Sequence, residues 1–215
     1  MSEPESLAEI EPLDEHLRRH SYDRLLMLSD GIFAIATTLA ALNVRIPAHS
    51  PSFGALLAGS ARSLVAYALS FAIAGIFWIS NRNLFARLRR VDGPLTVLTL
   101  ALLCLIALIP ATISTLYLQG GGEAGFRLYG LTMFACGIVN FCMWAYVASR
   151  PDLMIEGVSV RDRWIRVVYT VAFPILFLPV LVLPSDRFAT IMLPLVLVVV
   201  LLRRVILPRW LGKPL

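Results

Sequence analysis

Along this chain, apolar residues come in long runs broken by short polar stretches rich in arginine, proline and glycine. A helix needs about 20 apolar residues to cross a hydrocarbon core. Six runs reach that length, and spans are predicted at about 24–45, 60–80, 95–117, 126–148, 164–183 and 187–206. Pro47 closes the first. The second is expected to belong to a longer helix that begins near Phe53 and runs to Arg90. Gly120, Gly121 and Gly122 make a flexible turn between the third and fourth. Pro174, Pro179, Pro184 and Pro194 interrupt the last two, where neighbouring helices can satisfy the backbone groups that proline frees.

The first run, Arg24 to Pro47, reads RLLMLSDGIFAIATTLAALNVRIP. At about 100° per residue it separates into two faces. Leu28, Ile35, Leu39 and Leu42 form an aliphatic stripe with Thr38 at its edge. Asp30, Ala34, Thr37 and Ala41 form a small, polar side. Hydrocarbon alone rewards no such sorting, so the small side is expected to pack into the protein while the stripe faces something else. Lipid-facing and core helices also show leucine at this spacing, so periodicity leaves a pore role open. A threonine within a span commonly bonds its own backbone, so Thr38 decides nothing by itself.

Composition turns these runs into a class. Of 215 residues, 58% are hydrophobic and 15% charged, with a mean hydropathy of +0.78, whereas soluble domains carry about 25% charged residues. The chain is therefore read as an all-α, polytopic membrane protein with six transmembrane helices. Its net charge of +5 has a topological cause and implies no nucleic acid. Arg18, Arg19 and Arg24 precede the first span, and Arg82, Arg87, Arg89 and Arg90 follow the second. Arg150, Arg161, Arg163 and Arg166 lie between the fourth and fifth, and Arg203, Arg204, Arg209 and Lys213 follow the sixth. Arg45, Arg62, Arg127 and Arg187 fall on the other side. The positive-inside rule then places both termini in the cytoplasm. The preference for arginine and the single-unit length suggest a bacterial plasma membrane.

Residues 1–20 read as an acidic cytoplasmic tail, 21–207 as the membrane domain and 208–215 as a short basic tail. The tail lacks the basic start and apolar middle of a signal peptide. Cys104, Cys136 and Cys142 sit inside apolar runs without CxxC spacing, as small buried hydrophobes do.

Catalytic patterns are missing. His16, His20 and His49 lie outside the predicted spans, and there is no HExxH, GxSxG or Walker loop. No enzyme activity, cofactor or resident metal is expected. Asp30 is the clearest acidic residue within a span, and intramembrane carboxylates are functional hypotheses by default. Its position favours a structural clamp with Ser29 and with Arg24 or a residue of another helix, Trp78, Asn81 and Arg82 being at similar depth. No internal repeat is visible, so a central pore requires several identical subunits in a closed ring.

The stretch R-x3-L-S-D-G-x-F-A-I-A-x-T-L from Arg24 resembles the first helix of the endosomal and lysosomal potassium channel family, the transmembrane protein 175 family. It is most similar to the short bacterial members with one six-helix unit. Gly75-Ile76-Phe77-Trp78, Leu84-Phe85 and Arg90-Val91-Asp92 resemble that family's second helix and the loop after it. The resemblance implies a homotetramer with the first helix of each subunit lining a central pore. It also implies conduction of monovalent cations, potassium above all, without a TVGYG filter. It carries the constriction onto Ile35, further aliphatic layers onto Leu39 and Leu42, and selectivity onto Thr38. An interhelix signature network falls on Arg24, Ser29 and Asp30, with Trp78 and Asn81 beside it. Leu28 stands where the pattern usually has phenylalanine, and Asn81 where a histidine is expected. Asparagine does not titrate near neutral pH.

Residues 35, 39 and 42 are spaced i, i+4, i+7, so four copies stack aliphatic rings that close a pore by dewetting. The alternative is a proton- or cation-coupled secondary transporter in which Asp30 titrates. A third reading is a membrane scaffold that passes no ions.

Overall fold

A computed structural model describes residues 13–117 and 122–183. The predicted sixth span, with Pro184, Pro194 and Arg187, and the basic tail at 208–215 lie outside these residues, as does most of the acidic tail. The described chain forms five long helices, α1 (Leu13–Ala41), α2 (Phe53–Phe85), α3 (Gly93–Tyr117), α4 (Gly122–Ser149) and α5 (Val160–Val182). A single 3-10 turn, Pro151–Leu153, joins α4 to α5. All five are long and apolar enough to cross a bilayer.

Three boundaries differ from expectation. α1 starts at Leu13, so part of the acidic segment is helical and His16 and His20 fall within it. The sequence explains this, since no glycine or proline occurs between Leu13 and Gly31 to stop a helix growing backwards from the span. α1 also ends at Ala41, and Leu42, Asn43 and Val44 continue in turns whose amides bond carbonyls three residues back. α2 stops at Phe85 rather than Arg90 because the chain there pairs with a distant loop. Arg89 N–H donates to Leu153 O at 2.8 Å and Ile155 N–H to Arg87 O at 3.0 Å, around an antiparallel bridge between Leu88 and Met154. Even so, 33 residues make α2 about 50 Å long, more than a bilayer core requires.

The helices pack as a chain of neighbours. α1 lies against α2 and α3, α3 against α4, and α4 against α5, with α2 also meeting α3 and α4. In lipid, burying a leucine gains little by itself, so close van der Waals fit decides which faces meet. α2 turns a line of small residues inward, Ser60, Ser63, Ala66, Ser70 and Ala74. α3 is the middle element, and Leu95, Leu102, Ile106 and Ile109 are wholly enclosed. α4 and α5 meet across Gly130, which faces Val180, and Gly137, which faces the ring of Pro174 at 2.9 Å from where a Cβ would stand.

One end of the bundle gathers the starts of α1, α3 and α5 and the ends of α2 and α4. Tyr22 hydroxyl donates to Phe85 O at 2.9 Å, which ties the start of α1 to the end of α2. Asp92 caps α3 by accepting from Leu95 N–H at 3.1 Å and receives the Tyr146 hydroxyl from α4. Asp152 accepts from Arg90 at 2.7 Å and from Arg150 at 3.1 Å. Those two arginines, Arg150 first, hold its carboxyl down at about 2. The charged form of the clasp is therefore complete above the ordinary carboxylate range and is lost only as pH falls through about 2. This arginine-rich end carries Arg24, Arg82, Arg87, Arg89, Arg90, Arg150, Arg161, Arg163 and Arg166.

The cysteines are free, but they are not uniformly buried. Cys136 is enclosed, Cys142 half-buried and Cys104 exposed. Cys104 follows the enclosed Leu102 and Leu103 onto the outer side of α3, so an apolar run alone did not determine which face it took.

Candidate functional site

α1 presents three arcs rather than two. The buried arc is Leu25, Ser29, Phe33, Ala36 and Ala40, all at most 6% exposed. Its spacing of three and four residues keeps one face against α2 and α3. Ser29 can be buried there because its hydroxyl donates to Leu25 O at 2.8 Å, leaving no polar group unsatisfied.

The predicted small, polar side does not form this contact. Asp30, Ala34 and Ala41 are exposed and Thr37 is half-buried. A wheel sorts residues by polarity, but α1 is seated by fit, and alanine and serine allow closer approach than an aspartate-bearing face. Asp30, Ala34 and Thr37 instead line one wall of a lateral groove of about 520 Å³ between α1 and α2. Phe71, Gly75, Trp78 and Ile79 form its other wall.

The third arc is the aliphatic stripe. Leu28, Ile35, Leu39 and Leu42 are 45%, 57%, 48% and 79% exposed, and no element among the described residues covers them. Leu42 stands one residue beyond the helix, on its closing turn. Thr38 is exposed beside the stripe, and its hydroxyl donates to Ile35 O at 2.9 Å. With its proton so engaged, the oxygen turns its remaining lone pairs outward and acts as an acceptor only.

Of the signature residues, the structure joins Asp30 and Trp78. Trp78 Nε1–H donates to Asp30 Oδ1 at 2.8 Å, and the Arg82 guanidinium lies over the Trp78 ring at 5.2 Å. The carboxylate thus meets a cation through an aromatic intermediary, which ties α1 to α2 at the groove. Arg24 is exposed, and among the described residues no ion pair links it to Asp30. Ser29 bonds its own backbone. Asn81 is 2% exposed, and its side-chain carbonyl has no partner among the described residues.

A second polar connection escaped the sequence reading. Ser80 on α2 donates to Asn140 Oδ1 on α4 at 2.9 Å and accepts from Trp144 Nε1–H at 3.1 Å. Asn140 lies in the middle of a span, and a polar side chain at that depth is the signal that points to it. None of these groups pairs a nucleophile with a base. What the geometry offers is a hydrocarbon stripe left exposed by the described residues, on a helix braced from behind.

The sequence pattern of the endosomal/lysosomal potassium channel TMEM175 family matches residues 24–110, which takes in the later part of α1, all of α2 and most of α3. A potassium channel of Streptomyces collinus is 32% identical over 152 residues, covering 66% of this chain and 74% of that protein. A potassium channel of Chamaesiphon minutus is 26% identical over 172 residues, covering 73% and 85%. The crystal structure of a lysosomal potassium-selective channel TMEM175 homolog from Chamaesiphon minutus shares the fold, with a TM-score of 0.61 and 22% identity over 83% of this chain and 90% of that one. On its sequence and its helical architecture, the chain belongs to the TMEM175 family of ion channels, among the bacterial members, and is not an enzyme.

Proposed function

We propose that this protein is a potassium-conducting cation channel, built as a homotetramer in which α1 of each copy faces a shared axis. The observation that carries the proposal is the exposed stripe of Leu28, Ile35, Leu39 and Leu42 on a helix whose other side is seated on α2 and α3. Potassium channels of Streptomyces collinus and Chamaesiphon minutus are similar over most of their length, which supports it.

In this arrangement Ile35 forms the constriction, with Leu39 and Leu42 as further rings. Isoleucine offers no ligand to a hydrated cation, so a tight ring excludes water and blocks ions. A small rotation or spreading of the four helices admits water and opens the path. Potassium sheds water more readily than sodium, and the outward lone pairs of Thr38 replace part of its hydration shell. Potassium is the permeant, no other cofactor takes part, and the Asp30–Trp78–Arg82 contact clamps α1 beside the pore. The arginine-rich end faces the cytoplasm across a plasma membrane, as the distribution of positive charge favours.

Liposomes test the function directly. Purified protein in potassium-loaded vesicles should release potassium with no pH gradient, in steps of channel-like amplitude, and protein-free vesicles should not. Flux that needs a proton gradient indicates a coupled transporter, and no flux at all removes the channel reading.

Two residue tests belong here. Thr38→Ala is expected to shift the reversal potential under bi-ionic potassium and sodium conditions toward zero, and an unchanged value rejects its role in selectivity. Asp30→Ala should lower the yield of assembled protein on size-exclusion chromatography while leaving selectivity intact. Loss of the charge-assisted contact with Trp78 costs roughly 1–3 kcal/mol. Normal assembly with altered permeation overturns the clamp.

A further inference from the structure

The arginines at the basic end fall into two groups. Arg90 and Arg150 share Asp152 at 2.7 and 3.1 Å, so their charge is answered within the protein. Arg87, Arg163 and Arg166 are half-buried, and among the described residues none of the three forms an ion pair.

Arg163 and Arg166 lie where α4 meets the first turns of α5, and Arg87, just beyond the end of α2, is near enough for Arg166 and Asp162 to act on its charge. Arg163 Nη1–H reaches Ala148 O at 3.5 Å, and Arg87 Nη1–H donates to Asn83 O. The Arg166 guanidinium lies over the Trp144 ring at 5.7 Å. The Nε–H groups of Arg163 and Arg166 are buried and, among the described residues, meet no acceptor. Such groups are costly to leave unmatched, the more so on a charged side chain.

Among the described residues, counter-charge at this corner is thin. Asp162, in the first turn of α5, is the carboxylate that acts on Arg87, and Arg166 acts on it with the opposite effect. Burial first, and then the neighbouring Arg166, lower the pKa of Arg87, as expected where cations are crowded. Among the described residues, Asp162 is the carboxylate that acts on Arg87 and Arg166. Beside them Trp164 is 48% exposed on α5, with Val168, Ile175 and Leu178 continuing the same face. An exposed tryptophan next to arginines marks the level of lipid headgroups.

We propose that the Arg87, Arg163 and Arg166 corner binds the phosphate of an anionic phospholipid, with its acyl chains along the Trp164 face of α5. Guanidinium forks match phosphate oxygens, and three half-buried guanidinium groups with no ion pair among the described residues are the charge that a phosphate would answer. The lipid would join α2, α4 and α5 on the basic side of the membrane. This site is independent of whether ions pass along α1, so it stands or falls apart from the channel proposal.

The test uses full-length protein in detergent, titrated separately with phosphatidylglycerol, phosphatidylcholine and inorganic phosphate. Thermal unfolding and native mass spectrometry are the readouts. Phosphatidylglycerol should raise the unfolding temperature and remain bound, while the other two at equal concentration should not. Binding by Arg163→Gln/Arg166→Gln should weaken roughly thirty-fold, the loss expected for two arginines near an anionic headgroup. Arg89→Gln, at an exposed arginine of the same end, should bind as the unaltered protein does. Equal binding of phosphatidylcholine, or undiminished binding by the double variant, overturns the proposal. An equal shift with inorganic phosphate assigns the corner to a soluble anion and rejects the lipid. Should the double variant fail to fold, Arg87→Gln, which lies beyond the end of α2, and the three-ligand comparison on unaltered protein decide the matter.

Discussion

Ile35→Asn is expected to raise potassium flux through the reconstituted protein by at least about tenfold, equivalent to ~1.4 kcal/mol off the barrier. In a four-fold ring the substitution sets four amides where four hydrocarbon side chains excluded water, and a wetted constriction no longer blocks ions. The fold has little reason to object. Ile35 is 57% exposed and the buried arc of α1 is untouched. Val97→Asn, at a 65% exposed position on α3, is the control and should leave flux unchanged. If Ile35 faced lipid instead, its amide would be an unsatisfied group in hydrocarbon. Protein yield would then fall with no gain of current, and the constriction would have to be sought elsewhere.

Gly130→Ala should lower stability by about 3 kcal/mol, at the upper end of what an extra methyl costs in a filled core. A Cβ at this position would overlap the Val180 side chain, with its branch carbon also in the way. Valine is branched at Cβ and stiff at χ1, so it cannot swing clear as a longer side chain would. Gly125→Ala, on the same helix, places its methyl at 3.5 Å from Thr115 Cγ2, an ordinary contact, and should cost little. Thermal unfolding in one detergent compares the two. Equal losses would mean that α4 and α5 are not held by the close approach at Gly130.

The two experiments address different kinds of information. The stripe around Ile35 was visible as a pattern, because leucines and isoleucines at helical spacing need only the geometry of one helix. Gly130 carried no such signal. A glycine in an apolar run is equally consistent with a lipid-facing surface, and only the position of Val180, 50 residues away in sequence, makes it matter. The same holds for α1. Its polarity suggested that Asp30, Ala34 and Thr37 pack inward, yet Ser29, Phe33 and Ala36 do so, because contact between helices in lipid is decided by shape. Asp30 meets a partner on another helix as expected, and of the candidates named it is Trp78, with Arg82 one step behind, while Arg24 in the same motif stays outside. Ser80, Asn140 and Trp144 were unread because each is unremarkable alone and significant only once α2 and α4 are side by side.

The sequence by itself determined that the chain enters a membrane, that its helices alternate direction and that its arginines collect at one end. Run length, hydropathy and charge are properties of each segment taken separately, and they survive without knowledge of any neighbour. It also determined the family, through motifs on the first helix, the last turns of the second and the loop after it. Tertiary structure decided which arc of α1 is buried, which arginines share the Asp152 carboxylate, and where α2 yields to the Leu88–Met154 bridge. Those are relations between residues far apart in the chain, set by how side chains of particular size meet, and no local pattern encodes them.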